Sequence, residues 1–243
     1  MSKTVLITGG SRGIGAATVV TFAKHGYRVA FSYHRSGESA KALQQSLTAQ
    51  GYDVFALPCN VAEPMQVESL VKQTVHYFGR LDVLVNNAGI AQQKLFTDIT
   101  DVDWQTMLGV NLSGVFYACR AATPFFVSQK SGSIVNVSSI WGMTGASCEV
   151  HYSAAKSGVI GLTKALAKEL GPSNVRVNCI APGVIDTEMN RELDIATMGA
   201  LAEETPLGRI GTTDEVARAI FYLADGADFV TGQVLSVGGG IVI

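Results

Sequence analysis

The sequence predicts one α/β domain in which helices cover both faces of a doubly wound parallel sheet of about seven strands. Three observations indicate this fold. Short β-branched runs alternate with longer helical patterns, several of these runs are almost wholly apolar, and no linker, repeat or low-complexity segment interrupts the 243 residues. Apolar strands that alternate with helices are typical of parallel sheets buried on both faces and joined by right-handed crossovers. We therefore expect a single domain over residues 1–243.

Seven segments are predicted strands, because each is a short run rich in β-branched and other apolar residues. In chain order they are Thr4–Thr8, Arg28–Tyr33, Asp53–Pro58, Asp82–Asn87, Ser133–Ser138, Val175–Ala181 and Val234–Val237. The segments between them carry helical patterns and supply the crossovers. This alternation predicts the order of elements along the chain.

Two of the predicted helices are apolar nearly all round: Trp104–Phe126 and the helix that opens near Tyr152. One face of each covers the sheet, and the other face would be exposed in a monomer. We therefore expect the helices around residues 104–126 and 152–170 to form a subunit interface. A homotetramer is predicted, with a dimer as the alternative.

The composition excludes several classes of function. The formal net charge is −2 with no block of like charges, so neither a nucleic-acid face nor a polybasic membrane contact is expected. No apolar run is long enough to span a bilayer, and the first residues enter a strand-like run rather than a signal peptide. The four cysteines lack metal-type spacing, which predicts reduced thiols, no metal site and a cytoplasmic location.

A glycine-rich turn, "TGGSRGIG", follows the first predicted strand and opens the first helix. Glycines let such a turn approach a pyrophosphate closely, and the helix N-terminus offers free N–H groups to the phosphates. A glycine-rich loop without a ligand is the alternative, but the position between strand and helix favours a dinucleotide site. The predicted coenzyme contacts in this turn are Gly9, Ser11, Arg12, Gly13, Ile14 and Gly15.

The segment after the second strand bears on the choice of coenzyme. Phe31–Ser36 contains no acidic residue of the kind that holds the ribose 2′-hydroxyl of NAD. Arg12 and Arg35 could instead clamp a 2′-phosphate, although each alone could be a solvated surface charge. Taken together, they predict NADP(H) as the coenzyme.

Tyr152 and Lys156 are four residues apart and so share one face of a helix. An ammonium near a phenol favours the phenolate, so we expect a lowered pKa for Tyr152. Tyr152 would then serve as the acid in ketone reduction and as the base in the reverse reaction. An isolated pair of this kind is more often a structural tyrosine beside a snorkelling lysine, but the glycine turn favours a catalytic role.

Six features of the sequence, in order and spacing, resemble the short-chain dehydrogenase/reductase family. They are "TGGSRGIG", "NNAG" at Asn86–Gly89, Asn111, Ser139, "YSAAK" at Tyr152–Lys156 and "PG" at Pro182–Gly183. The resemblance implies a Rossmann fold and hydride transfer between a nicotinamide coenzyme and a carbonyl carbon. It also implies that Ser139 hydrogen-bonds the substrate oxygen, that Lys156 holds the nicotinamide ribose, and that Asn111 supports a water-linked proton path behind Lys156.

The same resemblance implies further coenzyme contacts after the third, fourth and sixth strands. They are Asn60, Val61, Asn87, Ala88, Gly89, Pro182, Gly183, Ile185 and Thr187. Asn86, Ala88 and Gly89 resemble the segment beside the adenosine ribose, with a plain strand-end turn as the alternative. The segment Glu188–Arg209 resembles a mobile substrate lid, with a static helical cap as the alternative.

Within the family, "LDVLVNNAGI" and "DWQTMLGVNLSGVF" are similar to the 3-oxoacyl-acyl-carrier-protein reductases of fatty acid biosynthesis. That group usually has arginines near the mouth of the site for the acidic carrier protein. Only Lys130 and Arg176 remain at the comparable places in this sequence. The resemblance therefore implies a 3-oxoacyl substrate, while the predicted docking patch for a carrier protein is thin.

A second resemblance implies a different ketone. "SIWGMTGASCEVHYS", Ser139–Ser153, is similar to the elongation factor P 5-aminopentanone reductases, which reduce a ketone on a modified protein lysine. Glu149 would lie beside the substrate cleft and favour a cationic substrate, or it would point to solvent. Another small or cyclic ketone is a further alternative. The non-enzyme alternative is a dinucleotide-binding sensor, which the intact set of Ser139, Tyr152 and Lys156 argues against.

Overall fold

The computed structural model describes residues 2–188 and 195–242. In those residues seven parallel strands form one sheet in the order β3-β2-β1-β4-β5-β6-β7. The strands are β1 (Thr4–Thr8), β2 (Arg28–Tyr33), β3 (Val54–Pro58), β4 (Val83–Asn86), β5 (Gly132–Val137), β6 (Val175–Pro182) and β7 (Val234–Val237). Every predicted strand is present with boundaries within one residue, which confirms the predicted α/β fold with its doubly wound sheet.

Helices cover both faces of this sheet. They are α1 (Gly13–Lys24), α2 (Gly37–Ala49), α3 (Pro64–Phe78), α4 (Asp101–Leu108), α5 (Gly114–Gln129), α6 (Trp141–Thr144), α7 (Val150–Leu170), α8 (Ile195–Glu204) and α9 (Thr213–Phe221). Single 3-10 turns lie at Phe96–Asp98 and Gly171–Ser173. Among the described residues no helix combines the length and the apolar character that spanning a membrane requires.

The strands are buried on both sides, as their apolar sequences predict. Leu6 and Leu84 belong to the apolar cluster on one face of the sheet, and Val5, Ile7 and Val85 to the cluster on the other. This assignment follows from the period of two along a strand, which points successive side chains to opposite faces. Two apolar layers therefore hold the sheet between the helices.

The predicted helix over residues 104–126 is interrupted. α4 ends at Leu108, a five-residue π-helical turn occupies Gly109–Ser113, and α5 begins at Gly114. Wider turns of this kind are rare and frequently lie at functional sites. The buried Asn111 lies inside this turn.

The strand order determines where a ligand can bind. β1 pairs with β2 on one side and with β4 on the other, so the chain reverses its winding direction between β1 and β4. In open parallel sheets ligands bind in the crevice outside the carboxyl ends of the strands at such a switch point. The fold therefore places the candidate site after β1 and β4.

Candidate active site

The glycine turn after β1 has the compact geometry that a pyrophosphate site requires. Gly9 and Gly13 adopt left-handed φ angles of 66° and 52°, which favour glycine. A Cβ added at Gly15 would lie 2.1 Å from the carbonyl oxygen of Gly9, so no larger residue fits without a shift of the backbone. α1 begins directly within this turn, so its first N–H groups have no partners within the helix and are available to a phosphate.

Asn87 joins the glycine turn to the end of β4. Its Nδ2 donates to the carbonyl oxygens of Thr8 and Gly9 at 3.1 and 3.0 Å, and its backbone N–H donates to Thr8 Oγ1 at 3.1 Å. Ala88 is so close that a Cβ at Gly9 would lie 2.8 Å from its Cα. These contacts bring the turns after β1 and β4 together on both sides of the switch point. The close backbone approach and the exposed helix start fit a dinucleotide coenzyme.

Asn86 does not line this site, contrary to the prediction. Its side chain is buried in the core, where Nδ2 donates to Asn136 Oδ1 at 2.8 Å. Asn136 in turn donates to Thr163 Oγ1 on α7 at 2.9 Å. The reason is the alternation of side chains along a strand, which turns Asn86 inwards and leaves Asn87 at the turn. Asn86 therefore links β4 and β5 to α7.

The residues after β3 are partly engaged in their own turn. Asn60 Oδ1 accepts the N–H of Ala62 at 3.1 Å, and Gln66 Oε1 accepts the N–H of Asn60 at 2.9 Å. Val61 is buried, and a Cβ at Gly114 would lie 3.0 Å from its carbonyl oxygen. Asn60 and Val61 thus shape the wall beside the crevice through backbone packing.

The two arginines predicted to bind a 2′-phosphate are both exposed. Arg35 follows β2. Arg12 lies at the start of α1, where its Nη1 is 3.3 Å from Glu188 Oε2. Ser11 and Ile14, beside Arg12 in the turn, are half-buried.

Ser139, Tyr152 and Lys156 come together where β5 meets α7. Tyr152 and Ser139 share a side-chain hydrogen bond, and Lys156 Nζ lies 5.6 Å from the centroid of the Tyr152 ring. Lys156 Nζ also donates to the carbonyl oxygen of Val137 at 2.8 Å. Ser138 Oγ donates to the carbonyl oxygen of Lys156 at 2.8 Å, which fastens α7 to the end of β5.

Asn111, the fourth predicted catalytic residue, is held against the segment after β4. Its Oδ1 accepts the N–H of Ile90 at 2.9 Å, and its Nδ2 donates to the carbonyl oxygen of Ile90 at 2.8 Å. A Cβ at Gly89 would lie 2.9 Å from Asn111 Oδ1 and 3.5 Å from Lys156 Nζ. The missing side chain at Gly89 therefore leaves space that both Asn111 and Lys156 border.

The protonation states differ from the expected ones. Burial raises the pKa of Tyr152 to about 12; the hydrogen bond with Ser139 lowers it less, and the nearby charge of Glu149 raises it further. Burial also lowers the pKa of Lys156 to about 8. The predicted lowering of the Tyr152 pKa is therefore wrong for this structure, because loss of hydration outweighs the hydrogen bond with Ser139. Tyr152 is a protonated phenol at neutral pH.

The loop after β6 closes the far side of the crevice. β6 ends at Pro182, and a Cβ at Gly183 would lie 2.7 Å from the Cα of Gly238. Ile185 is buried, and Thr187 lies beside the glycine turn. Of the predicted lid Glu188–Arg209, residues 189–194 lie outside the described part, and α8 occupies most of residues 195–209.

Glu149 lies at the N-terminal end of α7, close enough to Tyr152 for its charge to act on the phenol. Its carboxylate is half-buried and accepts a hydrogen bond from Gln93 Nε2 at 3.3 Å. Burial raises the pKa of this carboxyl, since the charged form loses hydration. Glu149 therefore presents an incompletely hydrated carboxylate near the Tyr152 phenol.

Cys148 precedes it in a backbone conformation that is unusual for a residue with a side chain. Its φ is 61°, and its carbonyl oxygen accepts the N–H of Lys94 at 2.8 Å. Cys59, Cys119 and Cys179 are buried free thiols, whereas Cys148 is partly exposed. The strained turn at Cys148 thus lies at the edge of the cleft.

Comparison with known proteins agrees with this geometry. A protein-family profile described as "Enoyl-(Acyl carrier protein) reductase" matches residues 9–242. The chain belongs to the short-chain dehydrogenase/reductase family. The 3-oxoacyl-[acyl-carrier-protein] reductase FabG of Staphylococcus aureus is 40% identical over 99% of this chain and 98% of its own length. The corresponding reductase of Synechocystis is 41% identical over 100% and 98%, and FabG of Chlamydia trachomatis is 40% identical over 99% and 98%.

Membership of the short-chain dehydrogenase/reductase family makes the protein an oxidoreductase of ketones and alcohols that uses a nicotinamide dinucleotide. The family motifs did not reveal several residues that build the site. Gln93 orients Glu149, the carbonyl of Val137 holds Lys156, and Glu188 pairs with Arg12. None of these three carries a sequence signal, because each acts through a contact between residues far apart in the chain.

Proposed function

We propose that the protein is a cytoplasmic NADPH-dependent ketone reductase of the 3-oxoacyl-[acyl-carrier-protein] reductase type that acts in fatty acid biosynthesis. The observation that carries this proposal is the grouping of Ser139, Tyr152 and Lys156 where β5 meets α7, beside Gly89 after β4. A phenol that keeps its proton at neutral pH is suited to give it to a developing alkoxide. Full-length relatives of this type at about 40% identity support the substrate class.

When bound, the coenzyme supplies the hydride. Ser139 then holds the carbonyl oxygen of the ketone, and Tyr152 donates its proton to that oxygen. Lys156, held by the carbonyl of Val137, provides positive charge next to the ring as the phenolate forms. Asn111 borders the same space and would support the return of a proton through Lys156.

The proposal of NADP(H) is supported by Arg12 and Arg35, which are exposed beside the glycine turn and after β2, and by the lack of an acid in Phe31–Ser36. Steady-state kinetics with both reduced coenzymes test it. We expect a higher kcat/KM for NADPH, and a higher value for NADH would overturn the assignment.

Docking of an acidic carrier protein is supported less strongly. Arg176 donates to the carbonyl oxygens of Leu223 and Ala224 at 2.6 Å each, so its guanidinium is bound to the π-helical turn Tyr222–Gly226 that follows α9. Lys130 stays exposed after α5. The test compares kcat/KM for a 3-oxoacyl group on the carrier protein and on a short pantetheine thioester. Equal values would exclude a contribution from the carrier protein.

Glu149 favours a second candidate, reduction of an amino-ketone such as that on modified elongation factor P, or of another small or cyclic ketone. A half-buried carboxylate beside Tyr152 attracts an ammonium group and repels an acidic carrier. The decisive experiment measures kcat/KM for a 3-oxoacyl thioester, a small amino-ketone and a bulky cyclic ketone. Glu149→Lys is then assayed with the preferred ketone, with Glu169→Lys, an exposed position on α7, as the control.

For the amino-ketone candidate, Glu149→Lys lowers kcat/KM by at least about tenfold while Glu169→Lys changes little. An unchanged value would remove Glu149 from substrate recognition. A protein that binds coenzyme but oxidises it with none of the three ketones would instead be a sensor.

We also propose a homotetramer built through α5 and α7. A shallow apolar groove between these helices is lined by Leu112, Ser113, Phe116, Tyr117, Gly158, Gly161, Leu162 and Ala165. Phe116 is 42% exposed, and a Cβ at Gly161 would meet no atom within 4 Å. The solution mass tests the proposal. Leu162→Glu is expected to dissociate the assembly, and a monomeric mass for the unaltered protein would refute it.

A further inference from the structure

An ion pair spans the entrance to the coenzyme crevice. Arg12 in the glycine turn and Glu188 after β6 are 176 residues apart, yet Nη1 and Oε2 are separated by 3.3 Å. The neighbouring residues touch as well, since a Cβ at Gly13 would lie 3.6 Å from the side chain of Thr187. The segment after β6 therefore rests directly on the turn that would carry the phosphates.

Backbone hydrogen bonds fix the segment that leads to Glu188. The N–H of Asp186 donates to the carbonyl oxygen of Gly211 at 2.9 Å, and the N–H of Gly211 donates to the carbonyl oxygen of Val184 at 3.0 Å. Ile185, between them, is buried. Because this pairing fixes the chain two residues before Glu188, its carboxylate is presented to Arg12 by a defined piece of backbone.

Carboxylate and phosphate oxygens compete for the same guanidinium N–H groups. The side chains of Arg12 and Glu188 are 61% and 42% exposed, so the pair is open to exchange with a ligand in solution. An exposed pair of this kind contributes little free energy, and its loss changes an affinity by at most about fivefold.

We propose that Glu188 is a specificity-determining residue for the coenzyme. Its carboxylate occupies Arg12, and a 2′-phosphate must displace it to bind that arginine. A coenzyme without the 2′-phosphate leaves the pair intact. The proposal rests on the proposed use of NADP(H). Glu188 would reduce the preference of the protein for NADP(H) over NAD(H).

The test measures binding of 2′,5′-ADP and 5′-AMP, which differ only in the 2′-phosphate, by calorimetry on the full chain. In Glu188→Gln we expect 2′,5′-ADP to bind about three- to fivefold more tightly and 5′-AMP to bind as before. Glu188→Asp keeps the charge and should stay near the unaltered protein. Glu68→Gln is the matched control, because it removes an exposed carboxylate that pairs with Lys72 on α3, far from the turn.

A double-mutant cycle assigns the effect to the pair. In the Arg12→Gln background, Glu188→Gln should no longer change the affinity for 2′,5′-ADP. The inference is overturned if Glu188→Gln leaves the affinity for 2′,5′-ADP unchanged, or if both ligands shift equally. If the unaltered protein itself binds the two ligands equally, the NADP(H) proposal fails first and this inference fails with it.

Discussion

Gln92 Oε1 and His151 Nε2 are 2.9 Å apart, and this hydrogen bond holds the residue that precedes Tyr152. Gln92 Nε2 donates to Asp103 Oδ1 at 3.1 Å, and a carboxylate only accepts, so the amide oxygen faces the imidazole. His151 therefore carries its proton on Nε2. His151 is fully buried, and its Nδ1 has no hydrogen-bond partner among the described residues.

Replacement of Gln92 by Met keeps the size of the side chain and removes the acceptor. Because a buried N–H is left unsatisfied, we expect the free energy of unfolding to fall by about 1–3 kcal/mol. Urea denaturation measures the change. Gln73→Met is the control, since Gln73 bonds Ser69 on the exposed face of α3 and its loss should cost little. Equal effects of the two substitutions would contradict a role for the buried bond.

The same histidine predicts an acid-sensitive fold. Burial lowers the pKa of His151, with the charge of Asp103 opposing this and that of Lys94 adding to it. Below the ordinary histidine pKa of about 6.5, His151 is protonated in the unfolded chain but stays neutral in the folded protein. The free energy of unfolding therefore falls as the pH falls. His151→Gln should flatten this acid limb in thermal unfolding measured across the pH range. An acid limb of unchanged slope would show that other groups cause it.

Tyr152→Phe removes the proposed proton donor with little change in shape. We expect ketone reduction to fall by about 10²- to 10⁴-fold, while the affinity for the reduced coenzyme stays within about twofold. Single-turnover oxidation of the coenzyme and fluorescence titration measure the two quantities. Retention of the normal turnover would exclude Tyr152 as the acid, and a large loss of coenzyme affinity would indicate a structural effect instead.

Lys156→Met should raise stability at neutral pH and abolish activity. Burial lowers the pKa of Lys156 to about 8. At about 1.4 kcal/mol per pKa unit, the charged form of Lys156 lowers the free energy of unfolding by about 3 kcal/mol. Allowing about 1 kcal/mol for the lost bond to Val137, we expect a gain of about 2 kcal/mol. Above about pH 8 the folded protein loses the Lys156 proton, while the unfolded chain keeps it up to its higher pKa. The cost of the buried charge then disappears, so the stability gained by Lys156→Met becomes smaller as the pH rises.

Chemical denaturation at about pH 7 and about pH 10 measures this difference. Lys164→Met, which removes an exposed charge from the same helix, is the control and should change stability little at either pH. A destabilised Lys156→Met protein at neutral pH would mean that the ammonium is better compensated than its burial indicates.

The strands and the proximity of Tyr152 and Lys156 were predictable because both depend on spacing. Periods of two and of four residues are properties of local backbone geometry, so they are visible in the chain itself. The contacts of Gln92 and Gln93 with residues before Tyr152 follow no period, since they join a loop to a helix end nearly sixty residues away. Nothing in two adjacent glutamines indicates which partner each of them meets.

Two predictions, the position of the Asn86 side chain and the pKa of Tyr152, were wrong because burial depends on the folded structure. Asn86 was assigned to the crevice by its motif, but it lies inside the sheet because one step along a strand reverses the direction of a side chain. For Tyr152 the spacing correctly identifies the neighbouring ammonium, whereas the degree of desolvation depends on the whole surrounding structure. The rise of its pKa on burial therefore could not be predicted from the spacing.

The strained, partly exposed Cys148 has a practical consequence. The other three thiols are buried, so a thiol-reactive fluorophore at low excess would label Cys148 alone. A dye attached there would sit one residue from Glu149 and four from Tyr152. The unaltered protein thus already carries a single site for a fluorescent label. Binding of a ketone in the cleft can be followed by fluorescence without a substitution at any other position.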